Sequence, residues 1–119
     1  MMRIGVPKET KTLEGRVALV PAAAGDLVKR GHEVWIERDA GVKSGFADDE
    51  YAKLGVKIAP DAGALYEKGE LIVKVKEPID GDLALLRKDH LLFCYLHLAP
   101  LPALTKRLLD IGLTGVAFE

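Results

Sequence analysis

The sequence predicts an open, doubly wound α/β fold, with about six mainly parallel strands in one sheet and helices on both faces. Short runs of β-branched residues alternate along the chain with helical patterns, and helices between strands supply the crossovers that parallel strands need. The strands also read as nearly continuous apolar runs, which is typical of strands covered on both faces. Together these observations favour a Rossmann-like or flavodoxin-like sheet.

Each predicted element has a local signal. The predicted strands cover residues 3–6, 33–37, 56–58, 71–75, 90–96 and 113–118. The predicted helices cover residues 21–30, 49–54, 61–68 and 100–110. Pro21 suits the first turn of a helix, where its missing N–H costs nothing, and Gly31 suits the end of that helix. Asp48 can cap the second helix, and Pro78 ends the fourth strand.

Length and composition indicate one globular domain of 119 residues. Hydrophobic residues make up 49% and charged residues 29% of the chain, which is enough apolar surface to offset the entropy of ordering it. The 17 basic and 18 acidic residues give a net charge of -1. Because no basic stripe stands out, the charge pattern argues against a nucleic-acid partner.

The sequence also predicts a cytoplasmic location without a membrane span. The first residues are too few and too polar for a secretory signal, and no apolar run approaches the length of a spanning helix. Cys94 is the only cysteine, so an internal disulfide is impossible and a reducing compartment is compatible. The sixth predicted strand runs almost to Glu119, which leads us to expect that a following segment has been cut away or is supplied elsewhere.

The first candidate site lies in the long loop after the first strand, because ligands of open parallel sheets bind outside the carboxyl ends of the strands. Arg16 stands in this loop before Val17-Ala18-Leu19, an apolar run expected to fold back and anchor it. A guanidinium held in this way can bind a carboxylate through two parallel hydrogen bonds. The alternative is that Arg16 pairs with Glu9 or Glu14 on the surface.

The second candidate site is the lysine pair at the end of the fourth strand. Lys74 and Lys76 lie on the same side while the strand lasts, and lysines that end a buried strand are uncommon without a partner. One of them could hold an anionic substrate, with Pro78 fixing the turn that directs it. The alternative is that both ammonium groups extend into solvent.

The third candidate is His97, which ends the very apolar fifth strand. Imidazole titrates near neutral pH, so it can act as a general acid or base on a bound ligand. The alternative is a core histidine bonded to a backbone carbonyl. By contrast, His32 is expected to serve in capping or solvation, and His90 to be exposed among charged neighbours.

Other residues offer no cofactor site. Cys94 and His97 lack a second pair at ligand spacing, so a structural zinc site is not expected, and Cys94 is predicted to be buried. Trp35 and Tyr51 fit packing roles. No Gly-x-Gly-x-x-Gly occurs in the chain, so its sequence gives no reason to expect tight dinucleotide binding.

These segments together resemble a known family. The run Arg3-Ile4-Gly5-Val6-Pro7-Lys8-Glu9, with Arg16-Val17-Ala18-Leu19, is similar to the opening of the alanine dehydrogenase and pyridine-nucleotide transhydrogenase family. The motifs Gly31-His32-Glu33-Val34, Ser44-Gly45-Phe46 and Asp49-Glu50-Tyr51 continue the similarity in order. Residues 71–78 and 95–99 resemble alanine dehydrogenase specifically.

The resemblance implies a reaction and a set of site residues. Arg16 and Lys76 would bind the carboxylate of pyruvate or alanine, and His97 would bond the oxo or amino group and handle protons. Tyr95 would line the pocket. The implied reaction is the reversible, NAD-dependent oxidative deamination of L-alanine to pyruvate and ammonia.

The chain departs from the family pattern in one major respect. In the family, a Rossmann domain with the glycine fingerprint and a catalytic aspartate follows this segment, and the chain later returns to complete the first domain. Residues 1–119 would then be an incomplete N-terminal substrate-binding domain, and NAD would be bound mainly by a domain in cis or on a separate chain. We expect no turnover by this chain alone; the family also implies a homo-oligomer.

Three alternatives stay open. A transhydrogenase alpha subunit shares this domain but has no amino-acid substrate, so it does not need the pair of Lys76 and His97. A saccharopine-type dehydrogenase would use a similar domain with a bulkier substrate. A non-catalytic module that binds a small carboxylate or a partner chain would fit the short length.

Overall fold

The computed structural model describes residues 1–10, 14–76, 78, 80–94 and 102–117. The described part contains six strands: β1 (Arg3–Val6), β2 (Glu33–Glu37), β3 (Lys57–Ala59), β4 (Leu71–Val73), β5 (Leu91–Cys94) and β6 (Thr114–Ala117). It contains five α-helices: α1 (Pro21–Lys29), α2 (Asp48–Ala52), α3 (Ala62–Lys68), α4 (Asp80–Leu83) and α5 (Pro102–Ile111). The 3₁₀ turn at Val42–Ser44 and helix α4 were not predicted.

The strands form a single sheet in the order β3-β2-β1-β4-β5-β6. Every neighbouring pair is parallel, which confirms the predicted fold class. β1 is central, with Ile4 opposite Val34 of β2 on one side and opposite Leu71 of β4 on the other. The chain therefore winds outward from β1 in both directions. The crevice at the carboxyl ends of β1 and β4 is the topological switch point, where such sheets bind ligands.

Strand residues alternate between two hydrophobic clusters, one on each face of the sheet. Val34 and Ile36 pack with Ala24 of α1 and Tyr51 of α2, whereas Trp35 packs against the cluster that contains Leu65 of α3. This is the period-two alternation expected of a strand covered on both faces. Helices therefore cover both sides of the sheet, as predicted.

Helix α3 approaches β1 closely because Gly5 has no side chain. A Cβ atom at Gly5 would lie 3.2 Å from Leu65 Cδ1, 3.2 Å from Ile72 Cδ1 and 3.3 Å from the Gly69 Cα atom. Such distances leave no room for a methyl group without displacing neighbours. The glycine thus brings α3 against the centre of the sheet.

The start of α2 differs from the prediction. Asp48 is the first helical residue rather than the cap; the cap position is Ala47, whose backbone N–H donates to Glu50 Oε2 at 2.9 Å. Asp48 instead accepts a 2.9 Å hydrogen bond from the backbone N–H of Asp39. Asp39 has a φ of 65°, a conformation that aspartate tolerates better than most residues. The carboxylate that was expected to cap α2 therefore serves the preceding turn.

The helices of the described part are short. Its longest, α5, has 10 residues, against about 20 needed to cross a bilayer. No helix among the described residues is long and apolar enough to span a membrane.

Candidate functional site

The loop after β1 and the segment after β4 meet at the switch point. Glu9 follows β1, and its buried carboxylate accepts three hydrogen bonds from the segment after β4. Lys74 Nζ and the Lys76 backbone N–H each donate to Glu9 Oε1 at 3.2 Å, and the Val75 backbone N–H donates to Oε2 at 3.1 Å. A single carboxylate thus joins the two segments that carry the predicted site residues.

Lys74 is a buried structural cation. Its side chain is only 2% exposed, and its ammonium lies 3.2 Å from Glu9 Oε1 and 3.6 Å from Asp82 Oδ2. The alternative that both lysines extend into solvent is therefore wrong for Lys74. β4 ends at Val73, so the period-two relationship with Lys76 does not continue, and Lys76 is half-buried instead. Of the two lysines, Lys76 is the more exposed.

The Arg16 guanidinium binds the Glu14 carboxylate through two hydrogen bonds. Arg16 Nε donates to Glu14 Oε2 at 3.0 Å and Nη2 donates to Oε1 at 2.9 Å. The arginine side chain is 63% exposed while the glutamate side chain is 6% exposed. The predicted alternative of pairing with Glu14 is thus correct as a contact. Arg16 also lines a cleft. Its pairing with Glu14 therefore fixes the position of the Arg16 side chain beside this cleft.

The pairing with Arg16 keeps the Glu14 carboxylate ionised. The hydrogen bond from the Arg16 guanidinium lowers the pKa of Glu14 to about 2, against the opposing effect of burial. The charge of Lys76 contributes to the same lowering of the Glu14 pKa. That contribution is the smallest of those that lower the pKa of Glu14, so Arg16 is the dominant partner of this carboxylate.

The cleft beside Arg16 has a volume of about 300 Å³ and faces the carboxyl end of β4. It is lined by Arg16, Val17, Ala18, Val20, Ser44, Val73, Lys74 and Val75. Lys76 is not among the lining residues. One cationic edge and a mostly apolar wall suit a small carboxylate with a short aliphatic group.

The loop that carries Arg16 is anchored as predicted. Val17 is buried, and Ala18 and Leu19 pack against the cluster that includes α1 and α2. The Tyr51 hydroxyl donates a 2.8 Å hydrogen bond to the Leu19 carbonyl. Burial raises the pKa of Tyr51 to about 12, so the hydroxyl stays protonated and keeps donating. The apolar run therefore ties the Arg16 loop to the core.

A second buried network lies behind Lys74. The Tyr66 hydroxyl donates to Asp82 Oδ1 at 2.9 Å, and burial together with the neighbouring Asp82 raises the pKa of Tyr66 above its usual value. His90 is 2% exposed, so the prediction that it is exposed was wrong. Its Nδ1 accepts from the Arg87 backbone N–H at 2.8 Å, which leaves Nε2 as the donor to the Tyr66 carbonyl, also at 2.8 Å. His90 is a satisfied core histidine.

The sequence analysis did not name Asp82, and it named Glu9 and Glu14 only as surface partners of Arg16, whereas both glutamates are buried. A signal existed for Glu9, because a buried strand-end lysine needs a counter-ion and Glu9 follows a neighbouring strand. The predicted site residues Tyr95 and His97 lie outside the described residues. Cys94 is buried, as predicted.

The loop between β1 and α1 lacks the glycine fingerprint of a dinucleotide-binding turn. Gly15 is the one glycine in its sequence, whereas that fingerprint uses three glycines between strand and helix. Within the described ranges, no group of three or more His, Cys, Asp or Glu side chains could hold a metal ion.

Comparison with known proteins gives consistent matches along the whole chain. The family model described as alanine dehydrogenase/PNT, N-terminal domain, matches residues 5–119. The alanine dehydrogenases of Methanococcus maripaludis and Bacillus subtilis are 48% and 43% identical over 118 residues, which is 99% of this chain but 32% and 31% of those proteins. The chain therefore spans about a third of the length of the relatives it matches.

Solved structures agree with the family match. A structure of L-alanine dehydrogenase aligns with a TM-score of 0.96 at 47% identity, covering 99% of this chain and 32% of that one. A transhydrogenase from Sinorhizobium meliloti aligns with a TM-score of 0.89 at 25% identity, covering 97% of this chain and 33% of that one. The resemblance drawn from the sequence motifs is thereby confirmed, and the chain belongs to the alanine dehydrogenase/PNT N-terminal domain family.

Proposed function

We propose that residues 1–119 form the substrate-binding domain of a longer or split NAD-dependent L-alanine dehydrogenase. The reaction is the reversible conversion of L-alanine, NAD and water to pyruvate, ammonia and NADH. The observation that carries this proposal is the Arg16 guanidinium, held by Glu14 at the edge of a 300 Å³ cleft at the switch point. Alanine and pyruvate are small carboxylates that suit such a cleft.

Arg16 supports an anionic ligand, because it lines the cleft and its side chain is 63% exposed. Glu14, whose pKa of about 2 keeps it ionised at neutral pH, fixes the orientation of the guanidinium through two hydrogen bonds. In this proposal the guanidinium binds the carboxylate with directed hydrogen bonds and Lys76 adds a point charge. Val73 and Val75 line the same cleft and would contact the substrate methyl group.

The proton-handling role is assigned to His97, which follows β5 in the sequence. An imidazole at this position would bond the oxo or amino group of the substrate and exchange a proton with it near neutral pH. Tyr95 would line the pocket on the same segment. Both assignments rest on the family resemblance.

The domain's contribution is to hold and orient the substrate. NAD would accept the hydride when bound, mainly by a nucleotide-binding domain in cis or on a separate chain, because this chain's sequence lacks the Gly-x-Gly-x-x-Gly fingerprint. Homo-oligomeric assembly and a cytoplasmic location belong to the same proposal. We expect no turnover from this chain alone, and NADH oxidation by the purified chain with pyruvate and ammonium would contradict that expectation.

A transhydrogenase subunit is the second candidate, since the transhydrogenase from Sinorhizobium meliloti has a closely similar fold. The two candidates differ in whether a small carboxylate binds beside Arg16. A proton-translocating transhydrogenase has no amino-acid substrate and would need no such site. Binding of pyruvate therefore separates them.

The test is a titration of the isotope-labelled chain with pyruvate, followed by NMR. Shift changes are expected to cluster at Arg16, Lys76 and His97, and to disappear in Arg16→Ala. The matched control is Arg30→Ala, because Arg30 also pairs with a carboxylate, Asp26, at 2.9 Å but is the exposed residue that follows the C-terminal end of α1. Absent or scattered shifts in the parent chain would refute the substrate assignment and favour a non-catalytic module.

A further inference from the structure

Glu9 occupies an unusual position for a buried carboxylate, because two of its three donors are main-chain amides. The backbone N–H groups of Val75 and Lys76 point at opposite oxygens of this one side chain. The Glu9 side chain is 3% exposed, so these bonds form away from solvent, where hydrogen bonds to a charged acceptor are strong.

The two amides need this acceptor because the sheet ends before them. The last residue of β4 is Val73, and Lys74 still donates its amide to the Phe93 carbonyl at 3.0 Å. Beyond Lys74, the amides of Val75 and Lys76 donate to Glu9 rather than to a neighbouring strand. The Glu9 carboxylate thus fixes the backbone of Val75 and Lys76 beyond the end of β4.

Glu9 also belongs to the loop that carries Arg16. It follows β1 directly, and Arg16 stands further along the same connection to α1. The segment that Glu9 holds and the loop that carries Arg16 meet at one cleft, which Val75 and Arg16 both line.

We propose that Glu9 is a positioning residue, which fixes Lys76 beside the pair of Arg16 and Glu14 so that both cations meet one substrate carboxylate. This inference rests on the proposed function for the identity of the carboxylate. Val75, the chain neighbour of Lys76, lines the cleft together with Arg16, which supports the juxtaposition. The charge of Lys76 is also among the smaller contributions to the lowered pKa of Glu14. Glu9 itself does not touch the substrate in this assignment.

The competing explanation is that Glu9 serves only as the counter-ion of Lys74. The single variant Glu9→Gln cannot separate the two roles, because it leaves a buried ammonium with one partner fewer and destabilises the fold in either case. Two double variants can: Glu9→Gln with Lys74→Met, and Glu9→Leu with Lys74→Met. Both remove the ion pair, but only the first keeps an acceptor for a main-chain amide.

The measurements are the pKa of Glu14, the exchange rate of the Lys76 amide and the dissociation constant for pyruvate, all by NMR on the labelled chain. If Glu9 positions Lys76, the Glu9→Leu double variant should have a higher Glu14 pKa than the Glu9→Gln double variant. Its Lys76 amide should also exchange faster. Positioning also predicts that the dissociation constant for pyruvate rises about tenfold, the effect of losing roughly one contact to a charged group. Equal values in both double variants would overturn the proposal.

The design separates this inference from the proposed function. A parent chain that binds no pyruvate refutes the substrate assignment. The positioning of Lys76 by Glu9 is then tested by the Glu14 pKa and by the exchange rate of the Lys76 amide, because neither measurement needs a ligand. If the Glu9→Leu double variant does not fold, the Glu9→Gln double variant is compared with the parent chain. Glutamine keeps one acceptor oxygen for two amides, so exchange of the Val75 or the Lys76 amide must quicken, and unchanged exchange of both overturns the proposal.

Discussion

The Arg16 guanidinium and the Glu14 carboxylate share two hydrogen bonds of 3.0 and 2.9 Å, although they are separated by only one residue, Gly15. The Arg16 backbone N–H adds a third hydrogen bond to Glu14 Oε2 at 2.8 Å. These three hydrogen bonds fix the Arg16 side chain at the edge of the cleft. Its charge is thus held in place by the carboxylate that partly neutralises it.

Glu14 should make the stability of the domain sensitive to acid. Its pKa is about 2 in the folded state against 4.5 for an ordinary glutamate, so its contribution is present above pH 4.5 and is lost as the pH falls towards 2. We expect the contribution to be about 1–2 kcal/mol, because solvent around Arg16 screens the pair. Urea unfolding of the parent chain and Glu14→Gln at pH 6 and pH 3 measures it.

The expected result is a stability difference between parent and Glu14→Gln that is larger at pH 6 than at pH 3. The control is Asp26→Asn, which removes an exposed pair with Arg30 and should change stability by less than about 1 kcal/mol at either pH. A difference for Glu14→Gln that does not depend on pH would contradict the assignment of Glu14 as a stabilising anion.

Arg16→Lys should keep the charge of the site but weaken its ligand binding. A lysine cannot make the two-point contact, neither with Glu14 nor with a bound carboxylate. We expect the dissociation constant for pyruvate to rise about tenfold, and up to roughly 100-fold in Arg16→Ala, from the loss of contacts to charged groups. Arg16→Lys keeps a cation beside Glu14, so its folding stability should fall by less than the about 1–2 kcal/mol expected for the pair, whereas Arg16→Ala should lose about that amount. NMR titration and urea unfolding give the two quantities; equal affinity in Arg16→Lys would argue against directed binding by the guanidinium.

Local signals explain how much of the fold the sequence could predict. Asp61 caps α3 by accepting from the Ala64 N–H at 2.8 Å, and Gly69 follows the helix; both signals lie within a few residues of the ends they determine. By contrast, α4 is a single turn, Asp80–Leu83, that contains a glycine. One turn has no periodicity to detect, so it was missed.

The charged network could not be predicted because its contacts are far apart in sequence. His90 stands next to Arg87, Lys88 and Asp89, which is a typical exposed context, yet it folds back on the Tyr66 carbonyl. Lys74 is buried and Lys76 is half-buried, and this difference depends on where the hydrogen-bonded part of β4 ends. That end depends on neighbouring strands and not on the run of apolar residues.

Lys74→Met should destabilise the domain strongly. It would leave Glu9 and Asp82 buried without their shared cation, and breaking a buried pair from one side costs about 3–5 kcal/mol. The matched control is Arg3→Met, which removes a 3.6 Å pair with Glu70 between side chains that are both nearly half exposed and should cost about 0–1 kcal/mol. Urea unfolding at neutral pH compares them. Similar losses in the two variants would mean that the pair with Glu9 is not buried in solution.

Gly5→Ala should destabilise the sheet, although it adds only one methyl group. The new Cβ would lie 3.2 Å from two core side chains and 3.3 Å from the Gly69 backbone, and overpacking of this kind costs about 1–3 kcal/mol. Gly63→Ala in α3 is the control: its Cβ would meet only Asp61 Oδ1, at 3.5 Å, and alanine favours a helix over glycine by about 1 kcal/mol. Thermal and urea unfolding should therefore shift in opposite directions for the two variants. If Gly5→Ala were as stable as the parent chain, α3 would have to lie further from β1, which would also loosen the base of the loop that carries Glu9.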